Sequence, residues 1–381
     1  MPLRESLSAC WRRLQGDLFP ALGEELGPLG ARYIHLVTVL ELVRPERFLA
    51  HAHGARGRPA EDRAALARSF IAKAVFNISE TQVLIERLRL DRTLRRLCGW
   101  SWAGSVPSAS TFSRAFAEFA ADGLARRLHE TLILETQGTR LIGHISRDAT
   151  AIEARERTPK KKKKAEARPK RKRGRPKKGE ERPKPPRERR RLERQGEMSL
   201  AEMLADLPRA CTPGVKQNAK GYRTHWIGYK LHMDVADGDI PITALLTSAS
   251  LHDSQAAIPL ATMTASRVTS LYDLMDSAYD APEIKAHSRA LGHVALIEPH
   301  PRTAAGKDKI RAEARRQKLI GLRPAEHIRY QQRSAAERGF ANFKDNFAGR
   351  VIRVRGPDKV ACHVMFGLVA LSAIQIMRLV Q

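Results

Sequence analysis

Cysteine is scarce. Four residues in 381, Cys10, Cys98, Cys211 and Cys362, stand too far apart for a disulfide framework or a CxxC metal knuckle, which fits a reducing compartment and a cytoplasmic protein. The 13 histidines show no zinc-ligand spacing either. The first residues, MPLRESLSACWRRLQGDLFPAL, lack the uninterrupted apolar stretch of a signal peptide. One run, residues 361–380 (ACHVMFGLVALSAIQIMRLV), has the length and apolarity of a membrane span, but His363, Gln375 and Arg378 interrupt it. A helix packed on a sheet accounts for that pattern, and no membrane partner is expected. Acidic residues are also few: 41 Asp and Glu face 68 Lys and Arg, giving a net charge of +27. Such a balance favours polyanionic partners, nucleic acid before anionic membrane, and says nothing of the fold.

What is present divides into two textures. Residues 1–137 read as helical, rich in Ala, Leu and Arg with few β-branched runs, and form an all-α N-terminal domain. Within it, residues 101–119 (SWAGSVPSASTFSRAFAEF) hold a turn at Pro107, a Ser108 or Ser110 cap and a helix carrying Arg114. That order suits either a helix-turn-helix recognition element or any capped helix of a bundle. Residues 138–381 alternate strand and helix. TRLIGHISRDAT reads as a buried strand ending on Arg147 and Asp148. GYKLHMDVAD and IPITALLTSAS form a hairpin about Asp237-Gly238-Asp239, and His252-Asp253-Ser254 caps a helix. SLYDLMDSAYD is a short strand ending in acids, followed by a helix from Pro282, a strand at HVALIEPH and a basic connector. This succession predicts an α/β mixed sheet flanked by helices.

Between them, residues 155–194 carry 22 Lys and Arg against 6 Asp and Glu, too charged to fold independently, so a basic disordered insert is expected. Inside it, Arg173-Gly174-Arg175-Pro176 resembles an AT-hook, in which arginines enter a narrow A·T-rich minor groove.

The stretch YQQRSAAERGFANFK, residues 330–344, concentrates the chemistry. On a helix of about 100° per residue, Tyr330, Arg333, Glu337 and Lys344 fall within an arc of roughly 60°, beside a separate stripe of Phe340, Phe343 and Phe347. By itself an Arg333–Glu337 spacing also describes a solvated helix pair. Two further acids, Asp148 and Asp276, stand where strands are expected to end, and in an α/β sheet such positions converge with an adjacent helix. Carboxylates gathered there suit hard divalent cations and phosphoryl transfer, with Arg333 and Lys344 placed to hold phosphates.

With these marks in order, the chain resembles bacterial insertion-sequence transposases of the DDE class whose third acid lies in a Y-x2-R-x3-E-x6-K signature. Tyr330, Arg333, Glu337 and Lys344 match it at every spacing, supported by ISRDAT around Asp148, GYKLH, His252-Asp253-Ser254 and Asp276-Ser277-Ala278-Tyr279-Asp280. The resemblance implies a ribonuclease H-like core in which Asp148, Asp276 and Glu337 are catalytic and hold two Mg2+ ions, which Mn2+ could replace. It implies cut-and-paste transposition by hydrolysis and strand transfer on double-stranded DNA, at inverted-repeat ends and target, by a homodimer in the bacterial cytoplasm. Tyr330, Arg333 and Lys344 would grip DNA near the cleaved phosphate, with Arg114 and the hook as further contacts. The basic insert after the first acid departs from the family pattern. A silent DNA-binding scaffold and a nuclease without strand transfer are the rival readings.

Overall fold

The computed structural model describes residues 28–49, 61–158, 189–217, 221–299, 304–321 and 324–380. Most of the basic tract, including the hook at Arg173, Gly174, Arg175 and Pro176, lies outside them. The N-terminal region is helical as expected: α1 (Ala31–Val43), α2 (Arg63–Val75), α3 (Thr81–Leu90), α4 (Arg92–Leu97), α5 (Ala109–Ala121) and α6 (Leu124–Gln137). Local chemistry sets their starts. The Asp62 carboxylate accepts from the amides of Ala64 and Ala65, and Asp91 caps α4 through Leu94 N–H.

The rest is a mixed sheet with helices on its faces. Its elements in order are β1 (Leu141–Glu153), α7 (Arg191–Gln195), α8 (Leu200–Asp206), β2 (Thr212–Gln217), β3 (Arg223–Ala236), β4 (Ile240–Ser248), α9 (Ala257–Ala265) and β5 (Thr269–Met275). There follow α10 (Pro282–Ala290), β6 (Val294–Ile297), α11 (Ala304–Leu319), α12 (Ala325–Tyr330), α13 (Ser334–Asn346) and α14 (Pro357–Arg378). β1 lies between β3, antiparallel to it, and β5, parallel to it; β4 pairs with β3 and β6 with β5. Three antiparallel strands followed by two parallel ones reached through helices make the expected ribonuclease H-like order. β2, unforeseen in the sequence, pairs with the first part of β3. Gly228 permits the tight crossing of β3 on β1: its φ is +156°, and a Cβ there would meet the Ile152 carbonyl at 2.1 Å.

Several expectations need correction. β1 does not stop at Asp148. It continues to Glu153 because β3 is long enough to keep pairing as far as Glu153↔Gly228. Tyr330 to Lys344 is not one helix, since a 3-10 turn at Gln331–Arg333 separates α12 from α13. The basic connector contains α11, and the last arginines of the basic tract are ordered. There Arg191 and Arg194 both reach Asp206, at 2.7 and 3.2 Å.

The apolar run near residue 370 is α14, long and apolar enough to cross a membrane, with 94% of its most apolar window buried inside the protein. It packs against α1, α2, α5 and α6 and against β4, joining the helical region and the sheet in one apolar core. Phe366 of α14 lies 6.0 Å from Phe70 of α2, which also meets Phe112, Phe116 and Phe119 of α5. Its polar interruptions are satisfied: His363 Nε2 is 2.9 Å from the Ala348 carbonyl, and Ser372 donates to the Pro241 carbonyl at 3.2 Å.

Candidate active site

In β1 side chains alternate between the two faces. One face presents Ser146, Asp148 and Thr150 toward the segment 330–346. Ser146 donates to the Gln332 carbonyl at 3.0 Å, and Lys344 donates to Thr150 at 2.7 Å. Asp148 therefore sits midway beneath α13. Small residues bring that helix close: Ala335, Ala336 and Gly339 are buried, and a Cβ on Gly339 would approach Met233 at 3.1 Å.

The parallel register pairs Arg147 with Met275, the last residue of β5, so Asp148, next on β1, and Asp276, which follows β5, are neighbours. Burial, reinforced by the charge of Asp276, pushes the Asp148 carboxyl up to about 6, against the stabilising Ala149 N–H at 2.7 Å. Asp276 is raised too, by burial and then by Asp253, while Ala278 N–H and Arg333 oppose the shift. Neither aspartate forms an ion pair with a described residue.

In the segment His252-Asp253-Ser254, expected to cap a helix, Asp253 opens the 3-10 turn Asp253–Ala256, which leads into α9 and packs on the turn Ser277–Tyr279 just after Asp276. Lys230 of the GYKLH segment holds it at 2.8 Å. Lys216, on β2, also acts on both Asp148 and Asp276. The HDS and GYKLH segments were visible in sequence, but nothing in their spacing joins Lys230 to Asp253 or carries both to the aspartates.

On the opposite face Arg147 forms a bidentate pair with Asp234 at 2.8 and 2.7 Å, both side chains essentially unexposed. Asp234 and Asp273 hold the guanidinium above its ordinary range although burial opposes this. Thr264 donates to Asp234 at 2.6 Å. This network fixes the strand at the residue before Asp148.

Glu337 is less engaged. Its side chain is 58% exposed and pairs with Arg333 at 3.1 Å, the solvated-pair alternative for these two residues. Arg333 is half-buried, with Tyr330, Glu337, Asp148 and Asp276 all acting on its charge. Among the described residues no three His, Cys, Asp or Glu side chains are close enough together to hold a metal ion. Tyr330 borders a cleft of about 640 Å³ whose other walls include Lys307, Arg311 and the end of β6. Arg114 is exposed on α5, far along the chain from these groups.

The sheet has the ribonuclease H-like order, with Asp148 on β1 and Asp276 just past the end of the neighbouring parallel strand β5. The chain matches the family described as Transposase DDE domain over residues 205–373, and Transposase domain (DUF772) over residues 23–118. No curated protein and no solved structure matches it. Both matches indicate a nucleic-acid-processing enzyme, an insertion-sequence transposase of the DDE type, and that family implies DNA binding. Asp276 and Glu337 fall inside the matched DDE region; Asp148 precedes it.

Proposed function

We propose that this transposase mobilises its element by cut-and-paste: hydrolysis at the element end, then attack of the freed 3′-hydroxyl on target DNA, at a site made of Asp148, Asp276 and Glu337. The observation that carries this reading is the closeness of Asp148, on β1, to Asp276, which directly follows the end of the adjacent parallel strand β5. The two carboxylates suit a hard divalent cation, being oxygen donors that repel one another and have no neutralising ion pair with a described residue. Mg2+, or Mn2+ in its place, would be held by Asp148 and Asp276 with Glu337 as the third acid. When bound, two such ions supply an activated attacking oxygen and stabilise the leaving one.

The chain's own groups do the rest. Arg333, in the turn before α13, and Lys344, near the end of α13, flank the aspartates and bind phosphate, and Tyr330 closes the same edge. A phosphate that draws Arg333 away frees Glu337 from its present partner. The helical region to residue 137 binds element ends through the surface bearing Arg114, while residues 138–381 form the catalytic unit. The basic tract at 155–194 adds sequence-tolerant affinity, with Arg173, Gly174, Arg175 and Pro176 entering an A·T-rich minor groove. A homodimer pairs the two ends.

A second reading, a DNA-binding protein that does not cut, draws support from the exposed pairing of Glu337 with Arg333. Cleavage of a duplex carrying an element end, in Mg2+, separates the two. Asp276→Ala and Glu337→Ala are expected to lower cleavage about a thousandfold, several kcal/mol of lost transition-state stabilisation, with DNA binding retained. Unchanged cleavage in either variant removes that residue from the site, and a wild type that binds but never cuts favours the silent scaffold. Joined product with target duplex distinguishes transfer from simple hydrolysis.

A further inference from the structure

Tyr279 follows Asp276 by three residues, and its ring is 1% exposed, in a small apolar cluster with Met203, Ile258, Met275 and Ile284. Its hydroxyl is buried with no hydrogen-bond partner among the described residues. Phenylalanine would fill the same space without burying an unpaired polar group, so packing alone does not explain a tyrosine here. Nor is the hydroxyl in a wholly apolar place. The turn that carries it directly follows Asp276 and packs on the Asp253–Ala256 turn, and the charges of Asp253, Asp148 and Asp276 act on it with Arg147 opposing them, so a phenol O–H, a hydrogen-bond donor, stands near three acids. Their own bonding leaves acceptors free. Asp253 receives Lys230, while Asp148 and Asp276 each accept one backbone N–H through a single oxygen.

We propose that Tyr279 is a positioning residue of the acidic centre, its hydroxyl reserved as a donor to these carboxylates and taking up that bond when a divalent cation draws them together. This rests on the reading of Asp148 and Asp276 as the cation site. Groups that orient metal-binding carboxylates typically change metal affinity by about 10- to 100-fold when removed.

The test uses the full chain, with Mn2+ as probe. Wild type, Tyr279→Phe, Asp148→Asn and Asp276→Asn are melted without metal and titrated with Mn2+ calorimetrically. The expected result is a metal-free Tm for Tyr279→Phe equal to or above wild type, with Mn2+ affinity reduced about tenfold or more. A lower metal-free Tm, or failure to fold, makes the hydroxyl a structural group and overturns the proposal. Wild-type Mn2+ affinity in Tyr279→Phe overturns it while leaving the site intact. Mn2+ binding that survives in both aspartate variants, or no binding by wild type, overturns the site reading together with the proposal.

Discussion

Glu337 and Arg333 stand four residues apart, and their contact is the one an isolated helix would give them. Exposed pairs of this kind contribute about 0.3–0.5 kcal/mol, far less than a phosphate offers a guanidinium. Replacing Arg333 by Gln is therefore expected to weaken binding to an element-end duplex about tenfold or more in a gel-shift titration, while Mn2+ affinity without DNA stays equal or rises slightly as Glu337 is released. The Arg147–Asp234 pair behaves differently because both partners are buried. Arg147→Met is expected to cost about 3–5 kcal/mol in urea unfolding, and adding Asp234→Leu to recover much of it, since the penalty is a charge left unpaired. Asp148 and Asp276 were legible as acids beside apolar strands. Asp234, Asp253 and Tyr279 were not, because their significance depends on strand register and on turns meeting across the fold, which no local pattern encodes.

At the scale of elements, the sheet was legible from alternation and turn chemistry, whereas the helix over the site was legible in residue type but not in phase. A 3-10 turn advances about 120° per residue against about 100°, so Gln331–Arg333 rotates Tyr330 relative to the residues of α13 by roughly 60°. Ser146 stabilises the break by taking the Gln332 carbonyl at 3.0 Å. α7 escaped notice because it lies at the end of a basic tract whose composition masks it, and α11 because it has no buried residue and hence no apolar stripe. The close seat of α13 yields a further prediction. Gly339→Ala is expected to be tolerated, since the flexible end of Met233 can yield at 3.1 Å. Gly339→Val should lift α13 from β3, costing about 1–3 kcal/mol by thermal unfolding and lowering cleavage in parallel.

For the whole molecule, burial of neutral histidines sets the response to acid. Burial holds His129 and His363 down to about 3 and His232 to about 4. Each folded-state value lies below the unfolded value near 6.5, so the unfolded chain binds the extra protons. Their stabilising contribution is complete above about pH 6.5 and declines as pH falls toward the folded values, by at most about 1.4 kcal/mol per pH unit for each histidine. Asp237, held near 2 by the His144 ring and the Gly143 N–H despite its burial, adds a loss in the same direction below about pH 4. Urea midpoints are expected to fall steadily from pH 7 to 5, and His363→Gln to flatten that slope.

The apolar faces of α1, α2, α5 and α6 close on α14, whose first residue is encoded 220 positions after the end of α6. At synthesis rates of about 5–20 residues per second, a nascent chain carries those faces uncovered for roughly 10–45 seconds. Chaperone demand during translation is thus built into the order of the gene. A ribosome that stalls before residue 357 releases a sticky, unfinished core instead of a competent DNA-binding fragment.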